Sequence, residues 1–550
     1  MPQITLNKKV FERLVGKKIS LDELKDRISF LGTDLGSIKK DEINLEIFPN
    51  RPDFLSEQGF ARAFSSFMGI KKGLRKYVVK ASEEKVMVEK SVKNIRPYTA
   101  VGIVRGIRFD NEKIKEVVQI QEKLHITYGR NRKKAAIGIY PYEKITPPIY
   151  FRALSPKEIK FVPLGFDREL TATQILSQHP AGREYGHLLE GLDKYPLFID
   201  SRDNVLSMPP IINSQNTGKI TEKTRDVFIE CSGFDFNTLR KCLNMVVTAL
   251  ADMGGQIYSM DLIYPDKRYK SPDLTPSKMK IDLDYVNRRL GLKLDEKELK
   301  KYLEKMGYGY GKKQAFVPAY RADVMHQIDL VEDIAIAYGY ENFEPKKSEA
   351  PTKGVESDFE VLKDKIVEIL VGLGLLEVNT YNLTDIKNQC SKMNAELDPV
   401  ELENARNIEY NVLRAWITPS LVEVLRNNKH HEYPQNIFEI GTVFKKNKKT
   451  ETETEEAIRL AVVLCSAETD YTKIKQVLDY LFSALDIKGD IIAAEHGSFI
   501  PGRVGRIIVR DEKVGYIGEL HPAVLTKWDI EMPVSAFELN LGDLFRIKKD

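Results

Sequence analysis

The chain has 550 residues, 42% of them hydrophobic and 30% charged, and its 84 Lys plus Arg against 80 Asp plus Glu leave a net charge of +4. That length suits three or four domains of about 150 residues, and so small an imbalance confines any nucleic-acid contact to local patches. Cys231, Cys242, Cys390 and Cys465 form no Cys-x-x-Cys pair, which excludes a disulfide framework; no apolar run reaches the roughly 18 residues of a membrane helix, and MPQITLNKK is not a secretory signal.

In chain order, Leu21, Leu24, Ile28 and Leu31 have helical spacing, and 44–48 alternates like a strand. After Pro52, helical spacing returns at Phe54, Gln58, Ala61, Phe64 and Phe67. Helices are predicted around Ile114–Leu124 and over 239–253, with strands at 135–140 and 227–231. The stretch 264–277 holds three prolines and reads as a loop. Beyond it come a strand (279–283), helices (285–290 and 296–306), a strand (315–317) and a helix from about 324 to 338. A polar linker is expected over 344–357. A helix around Phe359–Leu370 follows, then strands at 437–444, 458–464, 504–509, 514–520 and 535–541. The charged block 445–456 between two strands reads as a hairpin tip. The pattern is α+β and multidomain, ending in a mostly antiparallel sheet flanked by helices.

Asp329, Glu332 and Asp333 stand at i, i+3 and i+4, so one helix face carries all three, and Asp323 lies just ahead. Hard oxygen donors clustered this way suit Mg²⁺. A solvated acidic face accounts for the same spacing, at a cost of only about 0.2–0.5 kcal/mol per like-charged pair. The segment TYGRNRKK (127–134) offers four cations to phosphates, or is simply a solvated loop. Small polar groups crowd 206–235, among them Ser214 and Asp235, as a pocket lining or as turn chemistry. No P-loop, Gly-x-Ser-x-Gly elbow or His-Glu-x-x-His occurs.

Several segments, in order, resemble the β subunit of phenylalanyl-tRNA synthetase in its archaeal/eukaryotic form: LEIFPNRPDFLSEQGFARAF (45–64), IGIYPYEKITPPIYFRAL (137–154), SQHPAGREYGHLLEGLDKYPLFID (177–200), VLSMPPIINS (205–214), RADVMHQIDLVEDIAIAYGY (321–340), LRAWITPSLVEVLRNN (413–428) and IFEIGTVF (437–444). The resemblance implies four units: a B1-like module (1–84), a B3/B4-like α+β editing and tRNA-binding module (85–263), a winged-helix-like B5 domain (270–346) and a class II synthetase-like pseudo-catalytic core (357–550). It implies Mg²⁺ on Asp323, Asp329, Glu332 and Asp333. It also implies a cytoplasmic α2β2 assembly in which the α subunit binds ATP and L-phenylalanine and charges tRNA(Phe). The activating site has no visible counterpart here. Glu439 keeps a motif-2-like place, but AFELNLGDLF (536–545) has one glycine, and Arg546 lies past the strand. The expected roles are therefore assembly, tRNA binding and hydrolysis of Tyr-tRNA(Phe), with Ser214, Glu230 and Asp235 as editing residues and Leu206 as an apolar wall. A free-standing editing hydrolase and a non-catalytic tRNA-binding scaffold are the alternatives.

Overall fold

The computed structural model describes residues 2–347 and 353–549. The chain divides into two compact units, Met1–Lys346 and Lys347–Asp550. Part of the expected linker, 348–352, lies outside the described residues.

The first unit begins with strands Gln3–Asn7, Asp34–Lys39 and Glu42–Glu46, the last in the centre of an antiparallel sheet. Helices Lys8–Val15, Leu21–Phe30 and Glu57–Phe67 cover it. Asn7, Ser20 and Ser56 each accept a backbone N–H from the first turn, which is why these helices begin where they do. The RPDF end of the turn (51–54) is buried, with Arg51 paired to Asp53 through two bonds of 2.9 Å and lying 3.6 Å over the Phe54 ring.

Two sheets then face each other. The five-stranded one runs Val79–Lys80, Gln256–Tyr258, Tyr98–Arg105, Val227–Gly233, Ala135–Pro141. The seven-stranded one runs Ile212–Asn213, Val205–Met208, Tyr195–Ile199, Ile149–Leu154, Lys85–Val88, Met260–Ile263, Arg268–Ser271. Strand Val227–Gly233 is buried along its whole length. Its alternate residues Val227, Ile229 and Cys231 pack with Leu239, Leu243, Val117 and Ile120 of helices Phe236–Asp252 and Asn111–Ile126. Phe228 faces the opposite way, into the layer between the sheets with Val86, Phe151, Phe198 and Leu206. Glu230 shares the side of Phe228.

Residues 277–338 form a small winged-helix-like body. Strands Ser277–Lys280, Gln314–Val317 and Gly309–Gly311 make an antiparallel sheet beside helices Leu283–Leu290, Glu296–Lys305 and Gln327–Tyr338. The last helix starts three residues later than the spacing suggests. The Asp329 carboxylate takes the N–H groups of Met325 and His326, and the His326 side chain takes that of Ile328, so the first turn is capped there.

These bodies do not have separate cores. One apolar cluster joins Phe11, Phe60 and Phe64 to Val246 and Leu250 and on to Leu303, Leu330 and Ile334. Strand Val79–Lys80, expected in the N-terminal module, pairs with Gln256–Tyr258, and Arg268–Ser271 extends the seven-stranded sheet beyond 263.

The second unit is built on a sheet ordered Leu376–Glu377, Gln435–Lys446, Thr454–Cys465, Val534–Asn540, Glu512–Leu520, Phe499–Val509, Asp490–Ala493. It is antiparallel except for the first pair. Leu362, Ile366, Ile474 and Leu478, from helices Asp358–Gly372 and Tyr471–Ala484, cover one face. Helix Thr418–Asn427 and Trp528 cover part of the other. The charged block turns between the two longest strands, as its composition suggested. Among the described residues, no helix is long and apolar enough to cross a membrane.

Candidate functional site

A cavity of about 100 Å³ opens beside Glu230, between the two facing sheets and helix Asn111–Ile126. Glu230 is 2% exposed. Its Oε1 lies 3.0 Å from the Tyr140 hydroxyl, which sits 2.8 Å from Ser207 Oγ. Its Oε2 is buried with no partner among the described residues. Burial raises the Glu230 carboxyl to about 8, against the opposing pull of Tyr140 and Arg96. Burial thus favours the form that carries its proton. Gly138 stands opposite Glu230 on the neighbouring strand, and a Cβ there would meet the Tyr140 hydroxyl and come within 2.6 Å of Glu230 Oε1. The glycine is what leaves room for the pair.

The cavity wall also carries Asn213, Gln121, His125 and Arg132. His125 Nε2 accepts the Ile137 N–H at 2.8 Å, and burial holds the ring below its ordinary value, so it stays neutral. Arg132 comes from the basic segment read as a phosphate grip. Residues 130–132 turn through positive φ (49°, 51°, 64°), which swings its guanidinium inward. There it donates to Ile211 O at 2.7 Å and lies 4.2 Å over the Tyr185 ring. Arg130 and Lys133 stay exposed.

Of the three expected editing residues, only Glu230 lines this cavity. Ser214 is buried and accepts the Asn216 N–H at 3.3 Å, capping the short turn Gln215–Gly218 next to Asn213. Asp235 is exposed and caps helix Phe236–Asp252 through the Thr238 N–H at 2.7 Å; bonds from Thr238 hold its carboxyl below the ordinary value. Leu206 belongs to the core between the sheets. Asn213 belongs to the small polar groups of 206–235 expected to line a pocket, whereas Tyr140, Ser207 and His125 were not foreseen.

The four carboxylates of the acidic cluster do not form one ligand set. Asp323 accepts two bonds from Arg321, at 2.8 and 2.6 Å, and Asp333 accepts one at 2.8 Å. Asp333 also takes the buried Tyr308 hydroxyl. Burial opposes the charge on Asp323, but Arg321 wins and holds it below the ordinary range. Asp329 is spent on its helix cap, and Glu332 accepts the Tyr340 hydroxyl at 2.7 Å. Among the described residues, no three His, Cys, Asp or Glu side chains are grouped to hold a metal. In this arrangement Arg321 answers both Asp323 and Asp333, while Asp329 and Glu332 find their partners elsewhere.

In the second unit, Glu439 is buried in an ion pair of 2.7 Å with Arg414. Thr380 Oγ1 donates to it at 2.6 Å. Nothing of this carboxylate is left for a nucleotide. Arg546 is exposed and pairs with Glu512 and Asp543.

Three family models match the chain: the B3/4 domain over 89–245, the tRNA synthetase B5 domain over 279–340, and the phenylalanyl-tRNA synthetase beta chain CLM domain over 345–541. The phenylalanine–tRNA ligase beta subunit of Pyrococcus abyssi is 43% identical over 99% of this chain and 100% of its own length. That of Archaeoglobus fulgidus is 39% identical over 99% of both. The crystal structure of an N-terminal fragment of the Pyrococcus horikoshii phenylalanyl-tRNA synthetase beta subunit is 42% identical with a TM-score of 0.59, covering 61% of this chain and 99% of the fragment. Likeness of this degree, end to end and through all three matched domains, makes the chain a member of the phenylalanine–tRNA ligase beta subunit family.

Proposed function

We propose that this chain is the proofreading, non-activating subunit of a cytoplasmic phenylalanine–tRNA ligase. An α subunit activates L-phenylalanine with ATP and charges tRNA(Phe), within an α2β2 assembly. This chain supplies assembly surface, tRNA binding and hydrolysis of Tyr-tRNA(Phe). The work divides over 1–84, 85–263, 270–346 and 357–550, with editing in the second stretch and docking in the last. Magnesium enters with ATP at the α site.

The observation that carries the editing role is the buried Glu230, its Oε2 unpartnered among the described residues, beside Tyr140 on a polar cavity wall. An activation pocket that fits phenylalanine rejects tyrosine by only about 10². A second pocket reverses the preference if it satisfies buried polar groups only when a phenol hydroxyl is present. A neutral Glu230 offers that hydroxyl both a donor and an acceptor. Ser214 then positions Asn213, and Asp235 anchors the helix that follows the Glu230 strand. A free-standing editor would have no use for a unit matched over 345–541.

The test has two parts. Phenylalanine charging is measured for each chain alone and for the co-purified pair, and only the pair is expected to charge. Tyr-tRNA(Phe) deacylation is measured for wild type and Glu230→Ala, with a loss of about tenfold or more expected. Charging by this chain alone, or unchanged deacylation, refutes the reading.

A further inference from the structure

The second unit holds a cleft of about 640 Å³ on the sheet face turned away from helices Asp358–Gly372 and Tyr471–Ala484. That size lies within the range of about 300–1,000 Å³ typical of small-molecule sites. Its floor is laid by strand register. Glu538 stands opposite Tyr516, Tyr516 opposite Arg506, and one step along, Arg459 opposite Asn540. Its wall is aromatic: the His496 ring lies 5.6 Å from Trp416 and 5.0 Å from Tyr516.

Glu396, Asp398 and Asp543 line the cleft together with Lys445, Lys446 and Lys513, and on the floor Arg459 is answered by Glu538. Glu538 is fully occupied. Its Oε2 accepts Thr418 N–H and Oγ1 at 2.9 and 2.7 Å and Ile417 N–H at 3.1 Å, and its Oε1 accepts Arg459 at 3.0 Å. Arg506 makes no ion pair among the described residues. It lies 4.1 Å over the Tyr516 ring and reaches Lys513 O only at 3.5 Å. The Nε groups of both Arg459 and Arg506 are buried without an acceptor. Burial and then Arg506 hold His496 below its ordinary value, against the opposing pull of Glu538. Buried guanidinium donors left without acceptors are costly in an empty structural role.

We propose that this cleft binds a small molecule in which a flat aromatic ring carries an anionic group, the ring against Trp416 and His496 and the anion on Arg506 and Arg459. The anion is a phosphate or a carboxylate; both match a guanidinium fork. Binding is independent of editing at Glu230 and involves no chemistry in the cleft.

Calorimetric titration of the full chain alone tests this. AMP supplies a phosphate on an aromatic base, 3-phenylpropanoate a carboxylate on a ring, and 2-phenylethanol a ring without charge. One of the two anions is expected to bind with Kd at or below about 1 mM, and the alcohol at least about tenfold more weakly. Arg506→Met is expected to weaken the anion about tenfold with an unchanged melting temperature. Tyr516→Leu serves as a second variant, since it removes the stacking surface under Arg506 but no charge. No binding of either anion overturns the proposal, as does binding that both variants leave intact, or equal affinity for the alcohol.

Discussion

Replacing Glu230 by Gln removes one proton-binding group from the buried strand and leaves its shape. The wild-type carboxyl rises from 4.5 to about 8, chiefly through burial. A carboxyl raised this far binds its proton more tightly in the folded chain than in the unfolded one. Its contribution is fully favourable below the ordinary carboxyl range and is lost as pH rises towards about 8. The full shift is worth about 5 kcal/mol, about 3 of which is already lost at neutral pH. Glu57 and Glu116 are raised as well, to about 8 and about 7, so the whole unit loses stability over the same interval. The difference between wild type and Glu230→Gln isolates one group. Hydrogen exchange at the amides of Val227–Gly233, read from about pH 6 to pH 9, is the assay. The variant is expected to be more stable than wild type at the alkaline end, and the gap to close as pH falls. Deacylation of Tyr-tRNA(Phe), corrected for spontaneous hydrolysis, is expected to fall above about pH 8 in wild type and to stay level in the variant. Parallel exchange profiles for the two proteins would show that Glu230 is ionised at neutral pH and refute the reasoning.

Asp333→Asn leaves half of the buried Arg321 charge unanswered and is expected to cost about 3–5 kcal/mol in denaturant melts, with any Mg²⁺ response of the chain unchanged. A lost Mg²⁺ response would make Asp333 a metal ligand. Glu439→Gln strands Arg414 in the same way; a similar loss in melting of the second unit is expected, and charging by the α–β pair should follow stability alone. Asp235→Ala removes a helix cap worth about 1 kcal/mol and is expected to leave deacylation within about twofold of wild type. A larger drop would return Asp235 to the reaction itself.

Much of the fold is legible in the residues. Five of the seven strands of the last sheet and the helix after Pro52 announce themselves through apolar runs, alternation and helical spacing. The site is harder. Ser214 and Asp235 look like pocket residues because helix caps and binding sites draw on the same small polar side chains. Glu230 carries a real signal, a carboxyl inside the apolar run VFIECSG. Tyr140 and Ser207 reach it only through pairing across two sheets, which no local pattern encodes. Arg321 stands two residues before Asp323, a spacing that lets one guanidinium meet both carboxylate oxygens.

The common core of the first unit fixes an order of events during synthesis. Strand Val79–Lys80 leaves the ribosome long before Gln256, its Lys80 partner 176 residues later. Arg27 waits for Glu341, 314 residues on. Phe11, Phe60 and Phe64 have no complete apolar surroundings until Leu330 and Ile334 arrive. At about 5–20 residues per second, the early helices spend tens of seconds as an unfinished surface. The chain's most aggregation-prone moment therefore falls before its B5 segment exists, and slowing translation ahead of 327–338 would lengthen that exposure.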